Sequence, residues 1–172
     1  MRYRKVLVAL DRSPQSEIVF EQALEIAKKE EAALMLFYCL PFENQGVGSY
    51  ADMFGRELIN FSQEMQEILN KEREEALRWL VDYCQKATEQ GVPTEWDLKI
   101  GDAGSRIRDL ANAWDADLVV VGRRGRRGLA EIVLGSVSSY VVHQAPCSVL
   151  VVQGISPSVE ETLEAATHAT NQ

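Results

Sequence analysis

The sequence predicts an α/β protein: an open parallel sheet with helices on both of its faces. Three observations lead there. Short apolar runs recur along the chain with helical patterns between them, the alternation expected of parallel strands joined by crossover helices. Most of these runs are apolar on both faces, as in strands covered above and below. The fourth run leads directly into V-V-V-G-R-R-G-R-R-G (119–128), and the carboxyl ends of strands are where open α/β sheets bind ligands.

Each element follows in order. K-V-L-V-A-L (5–10) is the first strand. Ser13-Pro14 then reads as a helix N-cap with proline at the first helical position, and Val19, Phe20, Ala23, Leu24 and Ala27 follow at helical spacing. A-L-M-L-F-Y-C-L (33–40) is the second strand. Residues 41–61 form a longer connection with three glycines and several large apolar residues, readable as a lid, as a surface packed on a neighbour, or as a plain insertion. A helix over about 62–90 carries Met65, Leu69, Ala76, Leu80, Cys84 and Ala87 on one stripe and stops at Gly91, before Pro93. T-E-W-D-L-K-I (94–100) alternates, with Trp96, Leu98 and Ile100 on one face, which predicts an edge strand with one wet side. Gly101-Asp102 reads as a structural turn before a helix over 103–113, with Ile107, Leu110 and Ala111 inward. Residues 117–121 are the fourth strand, with Gly122 at its carboxyl end. A helix over 136–144 and the strand C-S-V-L-V-V (147–152) complete one domain over 1–153. The tail 154–172 is rich in Ser, Thr, Ala and Glu and reads as a frayed end without function.

Composition narrows the function classes. Of 172 residues, 46% are hydrophobic and 26% charged, enough for one sizeable core. The 18 lysines and arginines face 26 aspartates and glutamates, a net charge of -8, and this acidity argues against nucleic acid as a partner. No apolar run approaches the ~18 residues needed to cross a membrane. V-L-V-A-L (6–10) is too short for a signal peptide and runs straight into Asp11. The expectation is a cytoplasmic protein with no membrane partner. Cys39, Cys84 and Cys147 lie far apart and form no C-x-x-C, so they read as reduced thiols rather than as a disulfide framework or zinc ribbon. His143 and His168 are too isolated to suggest a metal centre or a catalytic triad.

Against that acidic background, Arg123, Arg124, Arg126 and Arg127 share seven residues with Gly122, Gly125 and Gly128. Glycine lets a backbone approach a ligand closely, and successive free N–H groups form a concave anion site. Farther on, Gly135-Ser136 opens the last helix, whose N-terminal N–H groups favour phosphate; the Ser136 and Ser138 hydroxyls add donors. The full pattern is G-x-x-G-x(9)-G-S, from Gly122 and Gly125 to Gly135 and Ser136. It offers two backbone cradles suited to a polyphosphate. The Lys-Ser/Thr pair of a P-loop and the G-x-G-x-x-G dinucleotide fingerprint are both missing. One or two of the arginines are expected on phosphate and the rest in solvent. Asp11, after the first strand, reads either as part of this site or as the cap of a turn.

These residues resemble the universal stress proteins, whose nucleotide-binding members carry G-x(2)-G-x(9)-G-S/T at this place. V-L-V-A-L-D-R-S-P-Q-S (6–16), G-D-A-G-S-R-I (101–107), A-D-L-V-V-V-G-R-R-G (116–125) and P-C-S-V-L-V-V (146–152) share the likeness. The resemblance implies a Rossmann-like sheet of the adenine nucleotide alpha hydrolase type, five-stranded, in the order 3-2-1-4-5. It implies that Ala9, Leu10, Asp11 and Ser13 line the adenine and ribose side, with the Cys39 backbone at the adenine, where valine is usual. Gly122 would then face the ribose. Arg123, Arg124, Gly125, Arg126, Arg127 and Gly128, with Gly135, Ser136, Val137 and Ser138, would hold the phosphates and any Mg²⁺ they carry.

The function this implies is ATP binding, or AMP or ADP binding, in a nucleotide-responsive regulatory module of the stress response. Phosphoryl transfer needs a positioned metal and a group that orients the nucleophile; beyond Asp11 the motifs supply no second carboxylate or glutamine for this, so hydrolysis should be slow or absent. The alternative is an ATPase switch stimulated by a partner. The likeness further implies a homodimer through the fifth strand, Cys147–Val152, whose apolar edge needs a cover.

Overall fold

The computed structural model describes residues 2–41, 55–123 and 134–153, and over 55–65 the backbone alone. The described strands are β1 (Lys5–Leu10), β2 (Ala33–Leu40), β3 (Thr94–Ile100), β4 (Leu118–Gly122) and β5 (Ser148–Val152). They pair in parallel in the order β3-β2-β1-β4-β5. The helices are α1 (Ser16–Glu30), α2 (Gly55–Glu89), α3 (Ala103–Ala113) and α4 (Ser136–Gln144).

Alternation along the strands divides the core in two. Val6, Val8, Leu10, Leu34, Leu36, Leu118 and Val120 point to the face covered by α1 and α2. Leu7, Met35, Phe37, Val119 and Val121 point to the face covered by α3 and α4, against Ile107, Ala111 and Val141. Strands buried on both faces have no polar side, which is why β1, β2 and β4 read as continuously apolar. Strand β5, read from its sequence as buried on both faces, is instead an edge strand, half-buried over Ser148–Val151 because it has a neighbour on one side only. The α1/α2 face also carries a ring cluster: Tyr83 stands edge-on to Phe20 at 4.6 Å and to Trp79 at 5.0 Å. Burying any one of these leucines contributes about 1.5–3 kcal/mol, so the central strands hold the sheet together.

Three local departures from the sequence reading have physical causes. First, α1 starts at Ser16, capped at Gln15 without a side-chain bond, rather than at Ser13. The Ser13 hydroxyl turns back to Asp11, so it leaves the helix N–H groups and the Ser13-Pro14 pair sits in a turn. Second, α2 starts at Gly55, which takes residues 55–61 out of the predicted connection; residues 42–54 lie outside the described residues. On its predicted stripe Ala76, Leu80 and Ala87 are buried, Leu69 and Cys84 are half-buried, and the Met65 side chain is among those not described. Third, on β3 only Leu98 packs on the core, whereas Trp96 and Ile100 on the same face are 41% and 39% exposed. An edge strand has one neighbour, so the outer flank of each side chain stays open.

Helix α2 ends as its sequence predicts. Gly91, at φ 84°, occupies the left-handed position after the helix, with Val92 N–H bonded to Ala87 O at 3.1 Å and Gly91 N–H to Thr88 O at 2.9 Å. The end of α1 repeats the motif with Glu31 at φ 54° in the glycine position.

Candidate functional site

Strand order reverses beside β1. The chain leaves β1 toward β2 on one side, and β4 enters on the other, with Ala9 opposite Val121 in register. The helices that follow, α1 and α4, cover opposite faces. A crevice therefore opens between the carboxyl ends of β1 and β4, the switch point where such sheets bind ligands. Asp11 and Gly122 stand on its two lips.

The β1 lip is a turn that closes on itself. Asp11 Oδ1 accepts from Ser13 N–H at 3.1 Å, from the Ser13 hydroxyl, and lies 2.9 Å from Ser16 Oγ. Ser16 Oγ accepts from Asp11 N–H at 3.2 Å and also reaches the Asp11 carbonyl. Ser16 is buried, and its N–H bonds Ser13 O at 3.1 Å. Asp11 is thus the turn cap that the sequence allowed, with Oδ2 free of hydrogen bonds among the described residues. Ala9 packs toward the α3/α4 face and Leu10 is buried on the other.

The β4 lip is a junction with open donors. Arg123 N–H bonds Val152 O at 2.8 Å, and Gly135 N–H bonds Arg123 O at 2.9 Å. These two bonds set Arg123 and Gly135 side by side at the end of β4. Arg124, Gly125, Arg126, Arg127 and Gly128 lie outside the described residues. The buried Ser138 donates its hydroxyl to Gly122 O at 2.5 Å, which fixes the first turn of α4 to the end of β4. Gly135 caps α4 without a side-chain bond. The first intrahelical bond is Ser139 N–H to Gly135 O, at 2.8 Å. The N–H groups of Ser136, Val137 and Ser138 consequently have no acceptor among the described residues, and the helix dipole adds partial positive charge there.

Cys39 sits at the end of β2, half-buried, with Sγ 3.4 Å from Gly101 O. Burial raises its pKa to about 11; Arg106 lowers it and Asp102 raises it by smaller amounts. Asp102 caps α3, accepting from Ser105 N–H at 2.9 Å and Ser105 Oγ at 2.6 Å, which bears out the structural reading of that turn. All three cysteines are free thiols. Among the described residues, no group of three His, Cys, Asp or Glu side chains gathers into a metal site. No helix among them is long and apolar enough to cross a membrane.

Three participants were missed by sequence reasoning. Ser16, the first residue of α1, also joins both the backbone and the carboxylate of Asp11; the spacing D-x-S-x-x-S is the signal that could have found this second role. Arg12, one residue beyond Asp11, pairs with Glu75 of α2 at 3.6 Å. Gln15 Oε1 is buried without a hydrogen bond, alone in this among the described side-chain atoms.

Comparison with known proteins agrees with this architecture. The model of the universal stress protein family matches residues 2–153. The universal stress protein Sll1388 of Synechocystis sp. is 51% identical over 153 residues, covering 89% of this chain and 99% of that protein. Among solved structures, the universal stress protein UspA from Lactobacillus plantarum is 26% identical, with a TM-score of 0.73 over 88% of this chain and 99% of its own. The universal stress protein from Archaeoglobus fulgidus in complex with dAMP is 22% identical, with a TM-score of 0.55 over 88% of this chain and 98% of its own. The chain belongs to the universal stress protein family.

Proposed function

We propose that this member of the universal stress protein family binds an adenine nucleotide, ATP foremost, across the crevice between β1 and β4. There it acts as a nucleotide-responsive regulatory module. One observation carries the reading: a carboxylate-bearing turn and an uncapped helix start face each other across a switch point. The first suits a nucleoside and the second a phosphate chain. The Archaeoglobus fulgidus relative solved with dAMP supports the ligand class.

In this reading Ala9, Leu10, Asp11, Ser13 and the Cys39 backbone hold the nucleoside. Arg123, the N–H groups of Ser136, Val137 and Ser138, and the glycine-arginine stretch hold the phosphates, with Mg²⁺ carried by the phosphates themselves. Hydrolysis is slow because, beyond Asp11, the residues assigned to the site supply no second carboxylate or glutamine to position a metal and orient water. Turnover at the ~1–100 per second of kinases would overturn this part.

Titration calorimetry of nucleotide-stripped protein with ATP, ADP and AMP, each with and without Mg²⁺, tests the whole. Saturable binding that weakens as phosphates are removed supports it. Absence of binding for all three refutes it. The pairing of β5 with its copy, which would give a dimer of two 19.3 kDa chains, is tested by light scattering at micromolar concentration; a monomeric mass rules it out.

A further inference from the structure

The start of α4 is held from a second side. Helix α3 approaches α4 so closely that a Cβ on Gly104 would lie 2.8 Å from Tyr140 Cδ1, 3.0 Å from Cγ and 3.2 Å from Cβ. Those atoms are the root of the ring, so a clash there cannot be relieved by swinging a flexible tip. At the other end of the same ring, the Tyr140 hydroxyl accepts from Arg108 Nη1 at 2.8 Å. Gly104 and Arg108 are one turn apart on α3 and clamp the ring at its base and its tip. Helix α3 is itself anchored beside β2: Gly101 N–H bonds Leu40 O at 3.0 Å, and Asp102 caps the first turn.

Tyr140 lies one turn beyond Ser136 on α4. Ser138 ties that first turn to β4, and Tyr140 ties the next to α3. Two attachments on a nine-residue helix fix both its height above the sheet and its tilt. From this geometry we infer that the Gly104–Tyr140 contact is a positioning element of the proposed nucleotide site: it sets where the N–H groups of Ser136, Val137 and Ser138, which have no acceptor among the described residues, stand relative to the crevice. The inference rests on the proposed nucleotide reading for its ligand, but not for its geometry. Neither Gly104 nor Tyr140 touches the nucleotide; they act through α4. A methyl group at position 104 must push α4 outward, because close-packed helices cannot absorb it in place.

The test is Gly104→Ala, alone and with Tyr140→Ala, which removes the ring the methyl would strike. Calorimetry with ATP and with adenosine separates a shift of α4 from a general loss of structure. Gly104→Ala should weaken ATP on the order of tenfold, the loss of one good phosphate contact, and leave adenosine within about twofold. The double variant should recover part of the ATP affinity. Equal weakening of ATP and adenosine, or no weakening of ATP, overturns the inference. A second readout needs no ligand: amide chemical shifts of Gly135–Ser138 in the apo protein should move in Gly104→Ala and return toward wild type in the double variant. Unmoved shifts sink the positioning role even if nucleotides bind. Moved shifts in a protein that binds no nucleotide keep the positioning role and refute only the proposed ligand.

Discussion

The two lips of the crevice are built on opposite plans. On the β1 side the polar groups answer one another: Asp11, Ser13 and Ser16 exchange hydrogen bonds within six residues. On the β4 side the N–H groups of Ser136, Val137 and Ser138 have no acceptor among the described residues, and the buried Ser138 hydroxyl holds helix to strand. A turn that satisfies itself keeps its shape before a ligand arrives, so it contributes fit. A helix start with free N–H groups waits for an acceptor, so it contributes charge complementarity. Dependence on the number of phosphates should therefore reside on the β4 lip and dependence on the nucleoside on the β1 lip.

That division can be broken from either side. The largest effect is expected from Asp11→Ala. It removes the acceptor of Ser13 and disturbs the buried Ser16, which should destabilise the fold by about 1–3 kcal/mol in urea denaturation. It should also weaken ATP, ADP and AMP by a similar factor; a loss confined to ATP would contradict the division. Ser138→Ala comes next. The Gly122 carbonyl loses its buried donor, at a cost of about 1–2 kcal/mol, and the affinity loss should grow from AMP to ATP. A uniform loss would show that Ser138 shapes the nucleoside side instead.

The smallest effect concerns Asp102, whose carboxyl the Ser105 hydroxyl and, to a lesser extent, the Ser105 N–H hold below the ordinary value of 3.8. A group with a lowered folded pKa stabilises above its unfolded value and loses that contribution as pH falls through the folded one. The contribution of the α3 cap is thus complete at neutral pH and fades only below about pH 4. Asp102→Ala should cost about 1 kcal/mol at pH 7 and less at about pH 2.5, read from urea midpoints. An equal penalty at both pH values would mean that the carboxylate is not the cap.

Much of this architecture was legible in the chain. The doubly apolar runs gave the buried strands because a central strand has no wet face, and Gly91 gave the end of α2 because its left-handed position disfavours a side chain. The start of α1 was misread because Ser13 had a rival partner two residues upstream, and rivalry between caps depends on turn geometry that spacing alone does not encode. The edge position of β3 was readable from its alternation, but the exposure of Trp96 and Ile100 depends on how far a helix from elsewhere in the chain overlaps the outer strand. At the site, the glycine and serine positions carry the expectation of a phosphate cradle, and Gly122, Gly135, Ser136 and Ser138 do lie at the end of β4 and the start of α4. That the Ser138 hydroxyl serves the fold is decided by the strand end that the fold brings beneath it. The Gly104–Tyr140 approach joins residues 36 apart and left no local trace.

The thiol of Cys39 sits near the end of β2, beside β1, and burial raises its pKa to about 11. Peroxides and alkylating reagents attack thiolates; with that pKa, only about one Cys39 in ten thousand is ionised at pH 7. Iodoacetamide should therefore label the folded protein at Cys39 slowly, with a rate rising about tenfold per pH unit up to the pKa. Burial of this sulfur beside Gly101 thus keeps Cys39 itself slow to react with such reagents.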